Sequence, residues 1–118
     1  MLSVIKISWI DEAAEEAEVT ISDRSHIILC FAYPWKGTKL PSDTVFELLD
    51  SVVMATSENT DYIQREGATY QHHLYGILLD RNKRLIKVGG LMFHADCGIP
   101  GDIGDNQRVE VTCDRVSI

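Results

Sequence analysis

The chain has 118 residues, 45% apolar and 25% charged, which fits one compact domain spanning residues 1–118. Acidic side chains outnumber basic ones 18 to 11, a net charge of −7. That balance opposes unspecific binding to nucleic acid or to an anionic membrane surface. No apolar run approaches the roughly 20 residues that a membrane-spanning helix needs.

The apolar run before Ile10 is short and meets the acidic block Asp11-Glu12-Ala13-Ala14-Glu15-Glu16 without a small-residue cleavage pattern, unlike a signal peptide. Cys30, Cys97 and Cys113 are an odd number with no short paired spacing. Together these features point to a reduced, cytoplasmic setting. Cys30 and Cys113 lie inside apolar strand patterns, where a thiol behaves as a small hydrophobe.

Residues 2–9 alternate, with Ile5, Ile7 and Trp9 on one face, and predict a strand. Residues 17–33 predict a hairpin, because Ala17, Val19 and Ile21 alternate with polar residues and Ser22-Asp23-Arg24-Ser25 supplies turn chemistry. Pro34 then ends regular pairing. Over 43–56 the period changes. Val45, Leu48, Leu49, Val52, Val53 and Thr56 form a helical stripe, with Ser42 or Asp43 as cap and Thr44 with Glu47 as a capping box. The β-branched content keeps a strand through Val52-Val53 as the alternative.

Residues 58–67 read as a loop. Residues 68–95 predict two long strands around Asp80-Arg81-Asn82-Lys83, with Leu78 facing Ile86 and Asp80 facing Arg84. Gly76, Gly89 and Gly90 mark bends that would let a short chain close a barrel. Asp96 to Gln107 is a loop, and residues 108–116 alternate as a last strand. The expected fold is mainly β with one helix, in the order β-β-β-α-β-β-β. It would be a six-strand barrel like the oligonucleotide/oligosaccharide-binding topology, or a barrel-like sandwich.

Three constellations could carry function. In that register His72 and His94 are diagonal neighbours, with Asp96 two residues on. Two imidazoles and a carboxylate would make an open site for one transition-metal ion. The competing reading of His94 is a core histidine beside Ile86, Val88 and Met92. The aromatic run Phe31-Ala32-Tyr33-Pro34-Trp35 lies near Lys36 and Lys39. With Arg81, Arg84 and Lys87 it could stack single-stranded nucleic acid, a reading the net charge disfavours. Trp35 beside Gly37 is the candidate anchor of a protein interface, and Asp11, Glu12, Glu15 and Glu16 a patch that steers a basic partner.

No glycine loop ends in Lys-Ser or Lys-Thr, and no serine occupies a nucleophile elbow. The favoured expectation is therefore a non-enzymatic acidic module, without cofactor, that binds a basic protein. It would be a monomer, or a homodimer paired through a free sheet edge.

Overall fold

The computed structural model describes residues 2–37 and 40–118. It is mainly β, with eleven strands: β1 (Ser3–Asp11), β2 (Glu16–Ser22), β3 (Ile27–Ala32), β4 (Val45–Leu49), β5 (Val52–Ala55), β6 (Tyr62–Arg65), β7 (His72–Asp80), β8 (Leu85–Val88), β9 (Leu91–Ala95), β10 (Arg108–Cys113) and β11 (Arg115–Ser117). They form one sheet in the order β1-β2-β3-β11-β4-β9-β8-β7-β10-β5, and β6 pairs with the first half of β7. The sheet does not close by ladder pairing, so the six-strand barrel is not the fold.

The helix over 43–56 is likewise absent: that segment is β4 and β5. The helical stripe leaves out Phe46, the bulkiest apolar side chain there. Alternation in a strand buries Phe46 and Leu48 completely and leaves Val45 and Glu47 outside. Phe46 then packs on Phe93, with ring centroids 5.9 Å apart. Between the strands Asp50 takes a φ of 52°, and the Asp96 carboxylate accepts the amides of Asp50 and Ser51 and the Ser51 hydroxyl at 2.6–2.9 Å. Those bonds stop one strand and start the next.

The hairpin of β2 and β3 forms as its pattern predicts, from Ala17↔Ala32 to Ser22↔Ile27. Leu78 does face Ile86. A bulge at Leu79 then sets Asp80 opposite Leu85 rather than Arg84. The second long strand also breaks. Gly89, at a φ of 57°, turns the chain so that β8 and β9 pair with each other, Val88 opposite Leu91.

The core is one cluster running from Ala17, Val19 and Ile21 through Phe46, Leu74, Leu78, Ile86 and Phe93 to Val109, Val111 and Val116. Cys30 and Cys113 are buried within it as free thiols. Burial raises the pKa of both, Cys113 to about 11, so neither supplies a thiolate at neutral pH. No helix among the described residues is long and apolar enough to cross a membrane.

Candidate functional site

The structure does not bring His72, His94 and Asp96 together. Their expected proximity depended on residues 84–95 being one strand, and the Gly89–Gly90 turn removes it. His72 is buried on β7, held by the Tyr70 carbonyl and the Leu29 amide. His94 sits on β9 opposite Leu85 and bonds Glu47 at 2.7 Å. Asp96 is occupied by the Asp50–Ser51 turn. Among the described residues no group of three or more His, Cys, Asp or Glu side chains could hold a metal ion.

Trp35 is 5% exposed and belongs to the core, so it is no exposed anchor. Its amide donates to the Glu15 carbonyl at 2.8 Å, which folds the segment after β3 back under the β1–β2 turn. Lys36 is paired with Glu15, and Arg81 is committed to the carbonyls of Ile99, Pro100 and Ile103. Those two cations are therefore not free for a nucleic-acid face. Lys39 lies outside the described residues.

The acidic residues gather at the β1–β2 turn, where Asp11 lies opposite Glu16. Asp11 and Glu12 are exposed at the β1–β2 turn, with Glu15 and Glu16 half-buried behind them. Asp11 accepts the Ala14 amide, and Glu15, at a φ of 59°, completes the turn. On β2 the core takes Ala17, Val19 and Ile21, so Glu16 and Glu18 point outward.

Next to them, β3 buries Ile28, Cys30 and Ala32 and turns Ile27, Leu29 and Phe31 to the other face. Tyr33, just past the strand, is 70% exposed. Phe31 lies opposite Glu18, and Tyr70 packs on Phe31 with centroids 4.5 Å apart. The Tyr70 hydroxyl donates to Glu18, and that bond raises the tyrosine pKa. Arg115 covers the Phe31 ring at 4.8 Å. A groove of about 230 Å³ between Glu16, Tyr33, Phe31 and Arg115 continues this surface.

No known protein family, curated protein or solved structure matches the chain.

Sequence reasoning named the acidic block but missed Tyr33 and Tyr70 as its neighbours. The Tyr33 signal was present, since it shares parity with Phe31, but the apolar run on β3 concealed which parity faced the core. A second cluster was also missed. On the outer face of β7 and β10, Glu110 accepts from His73 Nε2 at 2.6 Å and the Tyr75 hydroxyl at 2.9 Å. The cross-strand pair Tyr75↔Glu110 and the diagonal His73 were legible only with the β7–β10 register in hand.

Proposed function

We propose that the protein is a non-enzymatic binding module that engages a basic protein surface through the end of the molecule carrying the β1–β2 turn. The observation behind this reading is the groove that Glu16 shares with the exposed ring of Tyr33, with Asp11 paired to Glu16 across β1 and β2 and Glu18 two residues along β2. Carboxylates steer a cationic partner and order its approach. A tyrosine beside them supplies large contact area at low entropic cost and an aromatic face for a Lys or Arg head group. The groove of about 230 Å³ between Glu16 and Tyr33 would take one such side chain against Glu16, the Arg115 guanidinium on its wall being turned over Phe31. Tyr33 takes the anchor role first assigned to Trp35. Asp11, Glu12, Glu15 and Glu16 keep the steering role, with Glu15 partly neutralised by Lys36.

Selection from a displayed library of random peptides tests this. Wild-type protein is expected to enrich sequences rich in Lys and Arg, with affinity falling at least tenfold from 50 to 300 mM salt. Replacing Asp11, Glu12 and Glu16 by their amides should lower the on-rate and flatten that salt dependence. Tyr33→Ala should instead raise the off-rate. Enriched peptides without basic residues, or an amide variant that selects the same pool with the same salt response, would overturn the proposal.

A further inference from the structure

The outer edge of β1 is open. Among the described residues β1 pairs with β2 alone and ends the strand order of the sheet. Nine residues long, it carries only two ionisable side chains, Lys6 and Asp11. It leaves Ile5 55%, Ile7 40%, Trp9 43% and Ile10 49% exposed. Ile7 and Trp9 lie opposite Val19 and Ala17, both fully buried, so the core face of the sheet continues past the core onto β1, where it is left partly exposed. A long apolar edge of this kind is a template for strand pairing, and proteins that stay monomeric blunt such edges with charge, proline or cover. Here the bulges between Val4 and Lys6 and between Trp9 and Asp11 only flank the edge, and the stretch from Lys6 to Trp9 stays regular.

We infer that this edge is an isologous dimer interface, in which β1 pairs antiparallel with β1 of a second copy about a twofold axis at Ile7. The strand is self-complementary about that residue, as a twofold interface requires. Within the regular stretch Ile7 meets its own copy, and at its border the exposed Ile5 of one chain lies beside Trp9 of the other. Lys6 meets Ser8 and so avoids its own charge. A parallel in-register pair would instead set Lys6 against Lys6 and the two acidic turns side by side.

Charge selects the same arrangement. Glu12 lies five residues beyond the axis, so at about 3.4 Å per residue the two turns stand about 34 Å apart. Against a screening length of about 8 Å, the turns do not repel one another. Pairing the edges takes exposed parts of Ile5, Ile7 and Trp9 of each copy out of water, together with the unpaired backbone groups of both edges. The inference is independent of the basic partner. It leaves both acidic turns free at opposite ends, so the dimer would present them as a bivalent pair.

The test is the mass in solution of the untagged full chain by light scattering, from 1 to 200 μM. A species of twice 13.3 kDa is expected to dominate at the upper concentrations. Ile7→Lys sets two ammonium groups against each other on the axis and should shift the dissociation constant upward by at least a hundredfold. A cysteine reporter in a Cys97→Ser background, where the remaining Cys30 and Cys113 are buried, keeps the test independent of that variant's folding. Opposed Cα atoms in an antiparallel pair stand about 4.5–5.5 Å apart, within disulfide reach, so Ile7→Cys should cross-link on mild oxidation and Ser3→Cys should not. A wild-type monomer at 200 μM would overturn the inference. So would a dimer unaffected by Ile7→Lys, cross-linking at Ser3→Cys but not Ile7→Cys, or growth into larger species through the other sheet end, β5.

Discussion

His72 on β7 accepts the amide hydrogen of Leu29 on β3 through Nε2 at 3.2 Å, while its Nδ1 donates to the Tyr70 carbonyl at 2.9 Å. β7 and β3 share no ladder, so one side chain ties together two strands that the open sheet leaves apart. The two bonds require the neutral Nδ1–H tautomer, because a proton on Nε2 would face the Leu29 N–H. Burial lowers the His72 pKa from 6.5, outweighing the Tyr70 bond, which favours the charged form. The unfolded chain therefore takes up the proton first. Stability is full above pH 6.5 and falls as the pH drops below it, until the folded-state pKa is reached. The thermal midpoint is expected to fall between pH 7 and pH 5. His72→Gln should flatten that dependence and lower stability at pH 7 by about 1–3 kcal/mol. An unchanged slope in the variant would place the titration elsewhere.

Asp23 makes the opposite kind of contribution. Its carboxylate, 5% exposed, accepts the amides of Ser25, His26 and Gly90 at 2.6–2.9 Å and the His26 ring at 3.1 Å. It thus closes the β2–β3 turn and ties it to the β8–β9 turn. Burial raises its pKa, but the bonds from Gly90, Ser25 and His26 prevail and hold it at about 2, against 3.8 ordinarily. The stability gained is present above pH 3.8 and is lost as the pH falls from there toward 2. Asp23→Ala should lower stability at pH 7 by about 2–4 kcal/mol, since it leaves several amides without their charged acceptor. Asp23→Asn should also weaken the acid limb of the stability curve between pH 4 and 2. Chemical denaturation across that range measures both.

How much was legible follows from what kind of information each feature needs. The β2–β3 hairpin depends on a local alternation and a polar turn, both of which lie within seventeen residues. The Leu78–Ile86 pair depends on matching two apolar faces, again a local question. The segment 43–56 defeats periodicity because its apolar residues satisfy a helical stripe and, through Phe46 and Leu48, a strand as well. Tertiary pairing with β9 and β11 decides between them. Gly89 and Gly90 read equally as a bend or a turn, and only the β9 partner distinguishes the two. His72 and Asp96, both candidate metal ligands, act on amides 43 and 45 residues away in sequence, which no spacing rule reports. The acidic block was legible because solvated charge near a turn needs no distant partner.

Gly76 is a place where the fold admits no side chain. A Cβ added there would stand 2.7 Å from Val88 Cγ2 and closer still to the Lys87 carbonyl oxygen. Backbone cannot yield as a side-chain tip can, so β7 and β8 would have to separate. Gly76→Ala is expected to lower stability by about 2–4 kcal/mol and Gly76→Val to prevent folding. Gly98→Ala, with nothing within 4 Å of the added carbon, is the matched control and should change stability by under about 0.5 kcal/mol. Urea midpoints of Gly76→Ala, Gly98→Ala and wild type give the comparison, and the circular dichroism spectrum of Gly76→Val shows whether it folds.

Arg81 organises the long loop between β9 and β10 from outside it. Its guanidinium donates to the carbonyls of Pro100 and Ile103 at 2.6 Å and of Ile99 at 3.1 Å, and its amide donates to Asp105 at 2.7 Å. The planar fork reaches three carbonyls at once, which the single ammonium of lysine cannot span in the same geometry. This fixes the loop so that Ile103, 1% exposed, stays in the core. Arg81→Ala should release the loop, lower stability by about 2 kcal/mol and speed limited proteolysis between residues 98 and 106 at least tenfold. Arg81→Lys should fall between the two. Equal proteolysis of Arg81→Ala and wild type would mean that burial of Ile103 alone holds the loop.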